Sequence, residues 1–298
     1  MTNDANGNAE AAVAQLRDIL DLHSTGARTT EDIFTGDSQP MRSGRIFGGQ
    51  VLAQAIVAAA RTLPEERIAH SMHGYFLRPG DASEPVTFAV DRIHDGRSFS
   101  TRRAQAFQRG VPIFSMIASF QDESPGVEHE VPAPAGIPSP EEVAATSDAD
   151  LDVHPLTGRA VFDAPVELRH VSGPIYLTAQ AETRPQHAVW MRVRRPLPDD
   201  PAIHRAILAY LSDLSIQETI LRAHGLSWST PGLNVASLDH AMWWHRPART
   251  DEWLLYVLES PSAQGGRGLS TGRFYTRDGA LVASTAQEIM VRVPAPGA

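Results

Sequence analysis

Apolar residues recur along this chain with two periods, and their order predicts the same unit twice. Over 11–22, Val13, Leu16, Ile19, Leu20 and Leu22 fall at helical spacing and predict a short amphipathic helix after a polar tail. Residues 48–60 are Ala-rich and apolar on nearly every side, the pattern of a helix that is buried and wrapped by a sheet. Strand signals follow at 86–90, 98–108 and 111–120, joined by short gaps at Asp95-Gly96 and Arg109-Gly110, which predicts an antiparallel meander. Pro112 suits a strand entrance or edge.

Over 122–151 the pattern lapses into Pro, Glu, Asp, Ala and Ser, including Pro125, Pro132, Pro134, Pro138 and Pro140, which predicts a solvated linker crossing the surface between two halves. Beyond it, 188–193 alternates apolar and basic residues like a half-exposed strand. A Pro-rich turn at 196–201 introduces a helix over 202–223, closed by Gly225. Strands at 235–244 and 253–259 and a hairpin at 268–292, turned at Asp278-Gly279, complete the chain. The expected divisions are a tail and short helix (1–24), a first repeat (25–121), the linker (122–151) and a second repeat (152–298).

The repetition extends to residues. Tyr75-Phe76-Leu77-Arg78-Pro79 matches Trp243-Trp244-His245-Arg246-Pro247, and the turn Arg109-Gly110 matches Asp278-Gly279. A helix followed by an antiparallel meander, written twice, predicts an α+β fold in which two curled sheets join into one and cover each other's open edges.

Composition narrows the function classes. With 42% hydrophobic and 20% charged residues, the chain is ordinary for a globular protein, and its 298 residues suffice for two repeats. A formal charge of -9 argues against a nucleic-acid partner, which needs a basic surface. The absence of cysteine excludes disulfides, thiolate metal sites and a Cys nucleophile. No secretory signal and no bilayer-spanning stretch is read, and 294–298 is not a peroxisomal tripeptide, so the expectation is a cytoplasmic protein off the membrane.

Candidate chemistry centres on Asp213, a lone carboxylate in an otherwise apolar run. Downstream, Ser237 and Gln287 lie in strand-like segments and supply a hydroxyl and an amide able to share one water with it. In the repeat alignment Ser237 falls on Ala69, Gln287 on Ala118 and Asp213 near Gln50. The polar set is therefore written once, which favours a single working site.

Four segments carry a resemblance. They are 45–55 with Phe47-Gly48-Gly49-Gln50, 70–80 with Gly74-Tyr75-Phe76-Leu77-Arg78-Pro79, 237–247 with Ser237-Leu238-Asp239-His240, and 278–288 with Ser284-Thr285-Ala286-Gln287-Glu288. In this order they resemble the acyl-CoA thioesterase II family. The resemblance implies a double hot-dog hydrolase that cleaves fatty acyl-CoA to free acid and CoA, with the water-holding Asp, Thr or Ser, and Gln of the family carried over to Asp213, Ser237 and Gln287. Where many members have Thr this chain has Ser, which keeps the hydroxyl and loses the methyl that restricts its rotamer. Pairing of outward sheet faces, by analogy with hot-dog proteins, implies a homodimer or homotetramer. No cofactor or metal is expected. Gly48-Gly49 either offers backbone N–H groups to an oxyanion or merely permits a tight entry to the helix. Two further readings stay open: a non-catalytic acyl-CoA-binding protein with a degenerate site, and an enoyl-CoA hydratase.

Other motifs carry less. Gly268-Leu269-Ser270-Thr271-Gly272 fits G-x-S-x-G but runs into a hairpin, so the strand-to-helix elbow of a nucleophile is missing. His70, His73, His240 and His245 read as structural. Trp243-Trp244 reads as core or subunit interface, and Glu288 points away from Gln287. Arg78, Arg246 and Arg267 are candidates for phosphate contacts without assignment.

Overall fold

The computed structural model describes residues 2–28, 30–41, 43–145 and 165–293, so 146–151 of the expected linker and 294–298 lie outside the described residues. Helix α1 (Thr2–Leu20) and strand β1 (His23–Arg28) precede the first repeat. That repeat comprises β2 (Asp32–Gly36), α2 (Gly48–Ala60), β3 (Ile68–Phe76), β4 (Val86–Asp95), β5 (Phe99–Gln108) and β6 (Val111–Gln121). Strand β7 (Val166–His170) then leads into β8 (Gln186–Val193), α3 (Pro201–Ser212), α4 (Glu218–Ala223), β9 (Asn234–Ser237), β10 (Asp239–Trp244), β11 (Leu254–Gln264), β12 (Arg267–Thr276) and β13 (Leu281–Arg292).

The strands form one antiparallel sheet in the order β1-β2-β4-β5-β6-β3-β10-β13-β12-β11-β8-β7, with β9 beside β13 in line with β10. The two repeats meet where β3 pairs β10, with Met72 opposite Met242. This is the continuous double hot-dog sheet that the repeat and the resemblance imply. Matching contacts mark the duplication. Arg78 donates to the Pro112 carbonyl at 2.8 Å, and Arg246 to the Leu281 carbonyl at 3.0 Å, so the repeated Arg-Pro anchors strand ends.

Helix α2 is buried because its alanines leave no bulk to hold the sheet away: Ala53, Ala55, Ala58 and Ala59 have no exposed surface. It packs against β3 to β6 and against α3. The expected single helix over 202–223 is two helices. After Ser212 the chain leaves the helix for Asp213–217, and α4 then packs on β8, β11 and β12. Asp and Ser compete with the helical backbone for hydrogen bonds, so Asp213 and Ser215 favour such a break. The last residues of α2 and α4, Ala60 and Ala223, are offset by 163 positions, and that offset sets Gln50 against Asp213 and Gln54 against Gln217. The first repeat keeps its helix where the second unwinds.

Three further expectations need correction. Helix α1 begins at Thr2, nine residues before the apolar period that betrays it, and β1 and β2 carry too few apolar residues to announce themselves. Strand β8 is not half-exposed: His187, Ala188, Val189, Trp190 and Met191 are all buried. The reason is the linker, which is packed and not merely solvated. Its Ala133, Ile137 and Val143 cover Trp190, Trp253, Leu255 and Tyr275, and the Trp190 indole N–H donates to the Pro138 carbonyl at 2.9 Å. Arg192 lies over the Trp253 ring at 4.4 Å, so the basic residue of the alternating pattern borders this second small core.

Trp190→Ala is expected to destabilise the fold by about 3 kcal/mol, the low end for a large buried aromatic. Thermal unfolding measures the loss, and limited proteolysis should show new cleavage within 122–145.

Candidate active site

The break after α3 brings Asp213 to the one place where three elements converge on it. The side chain is 5% exposed. Strand β13 presents Gln287, whose Nε2 donates to Asp213 Oδ1 at 2.7 Å. Strand β9 ends at Ser237, whose hydroxyl donates to the same oxygen over 3.4 Å. From the first repeat, the Gly49 backbone N–H at the start of α2 donates to the carboxylate as well. The pKa of Asp213 is pushed up to about 6 by burial, although the Gln287, Gly49 and Ser237 hydrogen bonds pull it down.

The glycines make this approach possible. A Cβ on Gly48 would stand 2.7 Å from Asp213 Oδ2, and one on Gly49 would stand 2.4 Å from the Tyr210 carbonyl oxygen. A tight entry to the helix and a polar role thus coincide here, because the close approach is what lets the Gly49 N–H reach the carboxylate.

The three side chains expected to act together are together, with different exposures. Asp213, Ser237 and Gly48 line a cavity of about 320 Å³, near the lower bound of about 300 Å³ for small-ligand pockets. Gln287 is fully buried behind the carboxylate and is not in that wall, so in this geometry it holds Asp213. Ile46, Phe47, Val51, Phe76 and Phe114 make the cavity apolar, while Arg45 and Arg78 stand exposed at its rim. Arg246 and Arg267 are engaged elsewhere, with Glu130 and Glu288 respectively.

In the first repeat the corresponding positions are knotted shut. Gln50 Oε1 accepts from the Gln39 backbone N–H at 2.9 Å, Gln50 Nε2 donates to Gln54 Oε1 at 3.1 Å, and Gln54 Nε2 reaches the Ile19 and Asp37 carbonyls at 2.8 Å. Ala69 and Ala118, buried, stand where Ser237 and Gln287 stand in the second.

Residues set aside on sequence behave structurally. Ser270 of the G-x-S-x-G match is buried in mid-strand and bonds to Thr219 at 2.6 Å. His240 bonds to Ser212 at 2.9 Å, His70 to Ser119 and His245 to Ser284, also at 2.9 Å. Glu288 pairs with Arg267 away from the site, and Trp244 is buried while Trp243 is 36% exposed.

Two features escaped the sequence reading. Gln217, in the helix break, donates from Nε2 to Ser237 Oγ at 2.9 Å and lines the cavity. No periodicity flags it, since a lone Gln in a helical stretch reads as a solvent-facing residue. The second is a buried cluster of His170, His187 and Glu218 whose ligand-type atoms lie within 4.8 Å of one another. Its internal bonds are those of a polar network: His170 and His187 bond each other at 3.0 Å, and His170 bonds the Tyr176 hydroxyl at 2.7 Å. The Arg222 guanidinium lies 3.1 Å from the Glu218 oxygen that faces both imidazoles, so that carboxylate is already paired with a fixed cation. Burial and the nearby Arg222 charge hold the His187 pKa well below its ordinary value.

Residues 172–290 match the family model described as acyl-CoA thioesterase, and residues 37–121 match the one described as acyl-CoA thioesterase N-terminal domain. Acyl-CoA thioesterase 2 of Haemophilus influenzae is 36% identical over 286 residues, which cover 93% of this chain and 99% of that one. The crystal structure of an acyl-CoA thioesterase II from Mycobacterium marinum, 41% identical, matches with a TM-score of 0.76 over 94% of this chain and 99% of that one. A hot dog fold protein from Alicyclobacillus acidocaldarius, 18% identical, shares the architecture with a TM-score of 0.73 over 94% of this chain and 99% of its own. With one family model on each repeat, and relatives aligned across both, the chain belongs to the acyl-CoA thioesterase family and is a double hot-dog thioesterase.

Proposed function

We propose that the enzyme hydrolyses fatty acyl-CoA to free fatty acid and CoA by direct attack of water, with Asp213 as general base. The observation that carries this reading is a buried carboxylate in the wall of an apolar cavity, with its pKa pushed up to about 6. That value leaves it ionised at neutral pH and basic enough to accept a proton as water adds to the carbonyl. The apolar wall suits an acyl chain, and the rim arginines Arg45 and Arg78 suit the phosphates of CoA.

In the proposed reaction a water held by Asp213 and Ser237 forms the new C–O bond and gives its proton to Asp213. The tetrahedral oxyanion then collapses, the C–S bond breaks, and the CoA thiolate leaves and takes the proton from Asp213, which restores the base. Gln287 keeps the carboxylate aimed at the cavity. Since the Gly49 N–H is taken up by Asp213, the oxyanion role falls to Gly48 at the same positive helix end. The proposed assembly is a homodimer or homotetramer through the outer sheet face, where Tyr75, Ile117 and Trp243 are 62%, 49% and 36% exposed. Among the described residues, no helix is long and apolar enough to cross a membrane.

Thiol release from a panel of short to long acyl-CoA esters tests the reading. Asp213→Asn is expected to fold and to lose turnover by about 10²–10⁴-fold, the usual contribution of a general base. Tight acyl-CoA binding by wild type without thiol release would favour a binding protein instead.

The pH profile should show turnover falling as the medium is acidified through about pH 6, where Asp213 takes up a proton, and this limb should vanish in Asp213→Asn. Stability should move the other way. A carboxylate whose folded pKa is raised binds its proton more tightly when folded, so ionised Asp213 weakens the fold above about pH 6, and this effect is gone below its unfolded value of about 4. Asp213→Asn is therefore expected to raise Tm at pH 8, with the gain shrinking as pH falls towards 4.

A further inference from the structure

Ser237 poses a physical problem for the site just proposed. A serine hydroxyl has one proton and two lone pairs, and without a β-methyl its side chain moves among staggered rotamers that a threonine would restrict. Yet the hydroxyl must present its proton to Asp213 Oδ1, 3.4 Å away, and so keep its place to help orient a water that touches both.

Gln217 supplies the missing constraint. Its Nε2 donates to Ser237 Oγ at 2.9 Å, which fills one lone pair of the hydroxyl whose own proton goes to Asp213. Gln217 is itself held: its backbone stands at the N-cap position of α4 with helical φ and ψ of -70° and -24°, and α4 is anchored in the core by fully buried Ile220 and Leu221. Its side chain is nine-tenths buried and lines the cavity, and its Oε1 has no partner in the protein. The equivalent residue of the first repeat, Gln54, instead bonds Gln50 and backbone carbonyls in the closed knot.

We infer that Gln217 is a positioning residue of the hydrolytic site, fixing the Ser237 hydroxyl through its amide and so doing in this chain what a β-methyl does for a threonine. The inference rests on the assignment of Asp213 and Ser237 to hydrolysis. Gln217→Leu removes the amide while keeping volume at a buried position. It should lower kcat roughly tenfold, the worth of one orienting hydrogen bond, with KM within about twofold. Ser237→Thr, measured on its own, sets the reference for the other arm of the cycle. Combined with Gln217→Leu it should recover most of the lost kcat, because the methyl restores the rotamer without the amide.

The experiment is this double-mutant cycle, with kcat and KM measured on one long-chain acyl-CoA, Tm for every protein, and Asp213→Asn as control. Recovery in the double variant at unchanged Tm supports the inference. Wild-type kcat in folded Gln217→Leu, or a defect of the same size whether residue 237 is Ser or Thr, overturns it. Full turnover by Asp213→Asn would instead remove the hydrolytic assignment itself, so the two failures are told apart.

Discussion

Everything at the site depends on keeping one carboxylate charged in an apolar interior. Burial alone would neutralise Asp213, and the structure opposes burial with three donors, each from a different element: Gln287 from β13, Ser237 from β9 and the Gly49 backbone from α2. The balance leaves its pKa raised but still below neutrality. Two of these donors belong to the second repeat and one to the first. The site therefore exists only when α2 lies against the end of α3, and that contact is close because Gly49 has no Cβ to meet the Tyr210 carbonyl.

The helix break follows from the same constraint. An unbroken helix over 202–223 would hold Asp213 and Gln217 one turn apart on a single face, as Gln50 and Gln54 are held in α2. Unwinding the chain between α3 and α4 releases both side chains toward β9 and β13. The local conformation is stabilised by residues that suit a break, Asp213 and Ser215, and the flanking helices are pinned by core side chains such as Leu208, Leu211 and Leu221.

Much of this was legible in the sequence. Period-two runs separated by Arg109-Gly110 and Asp278-Gly279 marked the hairpins, both of which turn at glycines with positive φ. The Ala-rich run marked the buried helix, the family resemblance pointed to Asp213, Ser237 and Gln287, and the asymmetry between repeats placed that set in one copy only. What stayed hidden depends on contacts distant in sequence. Strand β8 reads as half-exposed in sequence because its cover comes from the linker about fifty residues earlier, through Pro138 and Val143. Gln217 carries no signal in sequence because its significance arises only after the helix breaks. The polar network of His170, His187 and Glu218 spans β7, β8 and α4, and no spacing announces it.

The covalent union of the two halves has a consequence for how such a site can arise. In a pair of identical separate chains, any residue altered for one half-site is altered in both, and a buried acid introduced on one side is introduced on its mirror image, with its desolvation cost doubled. In tandem, the symmetry of the sheet survives while the symmetry of the chemistry is free to lapse. Gln50 and Asp213 occupy matching places and do unlike things: one knots a helix to its neighbours, the other keeps a charge. Duplication within a single chain thus separates the inheritance of shape from the inheritance of reactivity.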